Sequence, residues 1–270
     1  MTGVRVGAVY RPQFAPERLA DTARAADAAG LEELWLWEDC FLTGGVSTAA
    51  IALSATSRIT VGLGVLPVPM RNVAAAAMEI ATLHRAFPGR VRVGVGHGVA
   101  SWMAQIGAAA PSPMTLLREY LTALRALLDG QPVTVEGSYV RLDHVQLEWP
   151  PQRGVELLCG ATGPKTLALS GELASGTVIT GGTTAQELRE AVGHIRNGQL
   201  RRADPAPHAV VVYVECIAGQ SGSQIAAAAG PWVDAGADTI VFQCGPDTDI
   251  AEFVAMIGSE VQPLMHRAHP

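Results

Sequence analysis

The chain has 270 residues, a length that a single α/β barrel can fill without a second domain. Apolar residues make up 49% and charged residues 16%, which excludes disorder, and the 29 glycines point to many tight connections between buried elements. The net charge of −6 comes without any basic stretch, Arg201-Arg202 being the one adjacent pair of arginines, so the electrostatic footprint of a nucleic-acid partner is missing.

Taken in order, "VRVGAVY" (4–10) reads as a strand and "APERLADTARAADAAG" (15–30) as an amphipathic helix, bracketed by a proline near its start and a glycine after its last turn. "EELWLWE" then leads to "STAAIALSATS", "ITVGLGVL" to "NVAAAAMEIATLHRAF", and "VRVGVG", after a longer loop, to "PMTLLREYLTALRALLDG". The apolar runs are short and nearly continuous, as expected of parallel strands covered on both faces. The segment 132–152 breaks the rhythm, and its alternation around Glu136-Gly137 predicts an inserted hairpin. The alternation resumes with "VELLCG" before a helix at 163–175, "GTVITGG" before "TAQELREAVGHIRNG", "AVVVYVECIA" before "SQIAAAAGPWVDAG", and "DTIVFQC" before a last helix at 249–267. Eight strand–helix units predict an α/β fold, a closed (β/α)8 TIM barrel forming a single domain over 1–270 with a small hairpin between units 4 and 5; an open doubly wound sheet is the alternative.

The start of the chain enters "VRVGAVY" without the charged region, apolar run and small-residue cleavage site of a secretory signal, so a cytoplasmic protein is expected. No apolar run approaches the roughly 18 residues that a membrane span needs, and no membrane partner is expected. Cys40, Cys159, Cys216 and Cys244 lie far apart with no CxxC pair, which argues against a metal site and against a disulfide framework.

In a (β/α)8 barrel the chemistry sits at the carboxyl ends of the strands, so the residues that follow each run carry the functional reading. After the second run come Glu38, Asp39 and Cys40; after the third, Pro67 and Arg71; after the fourth, His97 and Gly98. "GATGPK" (160–165) leads directly into a helix, whose free N–H groups and positive dipole end suit a phosphate, and Thr162, Thr166 and Lys165, the chain's single lysine, can add donors. "TGGTT" (180–184) supplies a second Gly/Thr turn beside it, as in barrels whose later loops share one phosphate site. Neither turn matches GxxxxGK[ST], so a triphosphate P-loop is not supported. The competing reading makes Thr162 or Gly163 a helix cap, Pro164 a first-turn proline and Lys165 a solvated side chain. "VGVGHG" (93–98) lacks the spacing of a dinucleotide fingerprint; its glycines let a flat ligand or the neighbouring chain approach the backbone, and His97 is either a structural histidine or an acid–base group. Asp39 equally suits capping the next helix, and Cys40 suits packing.

The ordered set "LEELWLWEDCF", "ITVGLGVLPVPMRNV", "EIATLHRAFPGRVRVGVGHG" and "GATGPKTLALSGELASG" resembles the luciferase-like monooxygenase superfamily over most of residues 4–182, and within it the branch that uses the deazaflavin coenzyme F420. The resemblance implies a (β/α)8 barrel and an oxidoreductase that transfers a hydride between coenzyme F420 and a small organic substrate. FMN-dependent monooxygenation and cofactor binding without catalysis are the alternatives. It further implies that the ring lies against a bulge at Gly64 and Val65, joined by a cis peptide bond, with Asp39, Cys40, Gly96, His97 and Gly98 at its edge. The phosphate then falls to Gly160, Ala161, Thr162, Gly163, Pro164, Lys165, Thr180, Gly181, Gly182 and Thr183. His97 and Asp39 are the catalytic candidates. Two departures stand out: Cys40 occupies a position where relatives commonly carry histidine, and Val99 one where some sugar-phosphate dehydrogenases carry glutamate. Because members of the family often pair, a homodimer through "STAAIALSA" and "NVAAAAMEIA" is expected.

Overall fold

A computed structural model describes residues 3–202 and 206–269. The strands are β1 (Arg5–Val9), β2 (Glu33–Leu36), β3 (Thr60–Pro67), β4 (Val91–Gly96), β5 (Val133–Glu136), β6 (Arg141–Val145), β7 (Leu157–Gly160), β8 (Gly176–Ile179), β9 (Ala209–Glu215) and β10 (Thr239–Gln243). Between and after them run α1 (Leu19–Ala28), α2 (Gly45–Ala55), α3 (Val73–Ala86), α4 (Ala100–Gln105), α5 (Pro113–Leu128), α6 (Pro164–Leu173), α7 (Ala185–Gln199), α8 (Gly222–Asp234), α9 (Ile250–Met256) and α10 (Gln262–Ala268). Eight strands close a parallel barrel in the order β1-β10-β9-β8-β7-β4-β3-β2, while β5 and β6 pair as the inserted antiparallel hairpin. The open doubly wound alternative is thereby set aside.

Two details differ from the sequence reading. The loop after β4 contains the short helix α4, too brief to announce itself by periodicity. The last helix is not continuous: a π-helical turn, Ile257–Val261, separates α9 from α10. Pro263 has no N–H for the carbonyl four residues earlier, so the α ladder cannot run through.

Strand periodicity stacks the barrel interior in layers. At the amino-terminal end, Glu33 and Arg92 are buried beside Thr239. Arg92 Nη1 donates to both Glu33 oxygens at 3.1 and 3.0 Å and to Thr239 Oγ1 at 3.1 Å, and its other nitrogens fork onto Glu156. Glu33 also accepts from Arg5 Nε at 2.9 Å and Trp35 Nε1 at 2.7 Å. Two residues further up each strand, Val9, Trp35, Leu158, Val178, Val211 and Val241 make an apolar middle layer, with Tyr213 above it. Trp35 fills so much of this layer that strand β3 can pass it only as glycine: a Cβ on Gly62 would come within 2.5 Å of Trp35 Cε2 and Cε3. A second, larger apolar cluster packs the outer strand faces against the helices.

Two histidines outside the barrel interior set the acid response. Burial pushes His84 down to about 4, and burial together with Arg202 does the same for His208. Between that value and the ordinary histidine range near 6.5, the unfolded chain binds more protons than the folded one, so stability rises with pH there and falls on acidification. Urea midpoints should therefore decline from pH 7 to pH 4, and His84→Gln should flatten the decline; a flat profile in the parent protein would contradict this.

Candidate active site

The carboxyl ends of the strands surround a cavity of about 600 Å³, within the size range of small-molecule sites. Strands β2, β9 and β10 deliver their last inward positions to the wall. Trp37 continues the sequence of Glu33 and Trp35, Tyr213 and Glu215 follow Val211, and Gln243 follows Thr239 and Val241. Of the residues singled out in the sequence, Asp39, Gly64, Val65, Gly96, His97, Gly98, Gly160, Ala161, Thr162, Thr180 and Gly181 line this cavity. Cys40, Gly163, Pro164, Lys165, Gly182 and Thr183 do not. Cys40 is buried with its Sγ 3.5 Å from Met70 Sδ, and burial raises its thiol pKa, with Glu38 and Asp39 adding to the rise. All four cysteines are free.

The floor is built by strand β3. Leu63 pairs with Val93 but Leu66 with Val95, so β3 carries one extra residue and bulges at Gly64 and Val65. The peptide bond joining Gly64 and Val65 is cis, as the resemblance implies; the bond joining Cys40 and Phe41 is cis as well, which the sequence reading did not anticipate. Tyr213 Oη donates to the Gly64 carbonyl at 3.0 Å, and burial pushes the Tyr213 phenol above its ordinary range. The Val65 side chain lies across the neighbouring strands in a nest of glycines: a Cβ on Gly94 or Gly96 would stand 2.9 Å from its methyls, and one on Gly160 3.0 Å. These glycines therefore admit the neighbouring strand's side chain, and Val65 in turn faces the cavity.

The polar groups of the wall are held in place. Glu38, buried, takes a fork from Arg71 at 2.6 and 2.9 Å and the N–H of Gly45 at 3.0 Å, which tethers β2's exit to the loop before α3 and to the start of α2. Asp39 accepts from Trp37 Nε1 at 3.0 Å, and Trp37 packs on Tyr213 with ring centroids 5.7 Å apart, so Asp39 does not cap α2, whose cap residue is Gly44. His97 shares a 3.2 Å hydrogen bond through Nε2 with Thr166 Oγ1, and burial lowers its pKa against the opposing pull of the Pro113 carbonyl. The imidazole is thus neutral around pH 7.

The two Gly/Thr turns differ. Helix α6 has Gly163 as its cap residue and no side-chain cap, leaving its first-turn N–H groups without a side-chain partner. Helix α7 is closed by its own capping box, Thr184 with Glu187. Thr183 is turned inward on its own loop, its Oγ1 on the Thr180 carbonyl at 2.9 Å, and its carbonyl takes Trp232 Nε1 at 2.8 Å. A cleft of about 430 Å³ between the starts of α6 and α7 adjoins the cavity through Ala161, Thr162 and Gly181. Lys165 is exposed and lines neither space.

Tyr213, Glu215 and Gln243 escaped the sequence reading. Their signal was present: they are inward positions by period 2 at the ends of β9 and β10, and polar residues there face the mouth of the barrel.

A family model described as luciferase-like monooxygenase matches residues 1–260. A 5,10-methylenetetrahydromethanopterin reductase of Methanolobus tindarius is 27% identical over 208 residues, spanning 77% of this chain and 63% of that protein. An F420-dependent glucose-6-phosphate dehydrogenase of Nakamurella multipartita is 32% identical over 185 residues, or 63% of this chain and 54% of that protein. The match thus reaches less than two thirds of the length of either relative. In fold, the chain resembles the structure of an F420-dependent secondary alcohol dehydrogenase in complex with an F420-acetone adduct, with a TM-score of 0.87 at 18% identity, covering 98% of this chain and 99% of that one. On the family match, the barrel and the position of its cavity, the chain belongs to the luciferase-like monooxygenase family.

Proposed function

We propose that the chain is an oxidoreductase that transfers a hydride between coenzyme F420 and a small organic substrate. The observation that carries this reading is the Val65 bulge at the floor of a carboxyl-face cavity that opens into a second cleft beside the uncapped start of α6. The names of the relatives support it.

The residues present fit such a group. Gly98 and Gly181 line the wall, and a Cβ on either would fill space next to Pro67 or Glu215. At the phosphate end the donors are the first-turn N–H groups of α6 and the Thr162 hydroxyl, a set that takes an anion without a neutralising cation. Glu215 stands beside Gly181, so like-charge repulsion keeps the phosphate at the α6 side of the double turn.

When bound, the deazaflavin supplies the hydride chemistry. The protein's part is to hold, orient and exchange protons. Val65 and the Tyr213–Gly64 hydrogen bond set the floor, and Trp37 and Trp102 add aromatic surface to the wall. Neutral His97, fixed by Thr166, and Asp39, fixed by Trp37, are the groups that exchange a proton with the substrate oxygen or nitrogen.

Equilibrium titration with coenzyme F420 and with FMN, followed by absorbance and by tryptophan quenching, tests the reading. Saturable binding of coenzyme F420 at least tenfold tighter than FMN is expected; tighter FMN binding would move the chain to the flavin monooxygenases. Because Lys165 is exposed and outside both spaces, Lys165→Ala should weaken coenzyme F420 by no more than about 1 kcal/mol, and less at high salt. A larger loss that persists in high salt would place the lysine on the phosphate.

A further inference from the structure

Resting on the deazaflavin reading, we propose that this site takes substrates without an anionic group, and that Glu215 enforces the exclusion. The wall carries three carboxylates, Glu38, Asp39 and Glu215, and among the described residues no lysine or arginine lines the cavity. Neither Arg11 nor Arg71, at this end of the barrel, lines the cavity. Arg71 forks onto Glu38 and lies outside the wall, and Arg11 donates to the Cys244 carbonyl at 3.2 Å.

The three carboxylates differ in what balances them. Glu38 is matched by Arg71. Asp39 receives an uncharged indole N–H, which fixes its direction and leaves its charge in place. Glu215, at the end of β9, has neither an ion-pair nor a hydrogen-bond partner among the described residues. Its Oε1 and that of Gln243 converge within 3.4 Å of where a Gly181 Cβ would stand. The anion-favouring element at the rim, the start of α6, is taken by the cofactor phosphate in the reading above.

A substrate phosphate or carboxylate entering here would meet two unbalanced negative charges and no lining cation; Asp39 is half-buried and Glu215 is exposed at the mouth, so the repulsion is partly screened by water and strongest at low salt. A hydroxyl, carbonyl hydrate or ammonium would instead donate to Glu215 and Gln243 and be oriented by them. The discrimination is by exclusion, a clash of like charge with the wrong substrate. A phosphate ester of the kind named for the Nakamurella relative therefore does not fit this wall.

Two readouts test the proposal. The first needs no cofactor: Trp102 lines the cavity, and the difference between the parent protein and Trp102→Phe isolates its fluorescence. Caesium ions should quench that signal at least about threefold more efficiently than iodide, with acrylamide as the uncharged reference, and Glu215→Lys should reverse the order. The second uses reduced coenzyme F420, with its binding measured separately, and aldehydes of matched length that end in a hydroxyl, an amine, a carboxylate or a phosphate. The anionic members should show kcat/KM at least about tenfold below the uncharged ones, and Glu215→Gln should narrow the gap. Iodide quenching as well as caesium, or an anionic aldehyde being preferred, would overturn the exclusion. Failure of coenzyme F420 to bind would instead sink the deazaflavin reading and leave the quenching result standing.

Discussion

Replacing Arg92 with alanine is expected to remove about 3–5 kcal/mol of folding stability, the range for stripping one partner from a buried ion pair. Glu33 lies wholly inside the barrel, and its charge is tolerated there because Arg92, Arg5 and Trp35 all donate to it. Burial works against the Arg92 charge, but Glu33 and Glu156 outweigh it and hold the guanidinium above its ordinary pKa. Without Arg92, the Glu33 carboxylate retains only a half-exposed arginine and an indole, and Glu156 loses its fork. Glu33→Ala should cost a similar amount, whereas exchanging both residues for apolar ones of similar volume should recover part of the loss. Urea unfolding reads the effect as a lower midpoint at unchanged slope. A shift below about 1 kcal/mol for Arg92→Ala would show that the charge is hydrated and the layer is not sealed.

The second large effect concerns the cavity floor. Gly96→Ala is expected to weaken coenzyme F420 binding by about 10- to 100-fold, matching the 1–3 kcal/mol typical of overpacking. The new methyl would stand 2.9 Å from one Val65 methyl, closer than side-chain carbons come to one another. Val65 faces the cavity, and a shift toward it to relieve the clash takes volume from the ligand. Trimming Val65 to alanine in the Gly96→Ala background should restore most of the affinity, and the double-mutant cycle isolates the coupling. Additive losses would mean that the two residues do not meet and that the floor is set elsewhere.

The eight-unit alternation, the inserted hairpin and the strand–helix order were all legible in the chain. Buried parallel strands must be continuous apolar runs, and their crossover helices must carry an apolar stripe; both leave marks within a few residues. The glycine-rich turns after β7 and β8 were legible for the same local reason. The floor at Gly64 and Val65 came from the resemblance, since a bulge is defined against a neighbouring strand and has no signature of its own.

What the sequence determined by itself was therefore the set of elements and the end of the barrel that carries polar residues, because short-range patterning fixes both. Only the tertiary structure decided which of those residues meet. It paired Glu38 with Arg71 across 33 positions, and set Tyr213 against Gly64 across 149. It gave the 94–96 glycines to Val65, left Lys165 in solvent, and brought Glu215 and Gln243 to the mouth. These are contacts between strands adjacent in the closed sheet or facing across it. Barrel closure and register create them, and no local pattern in the chain encodes either.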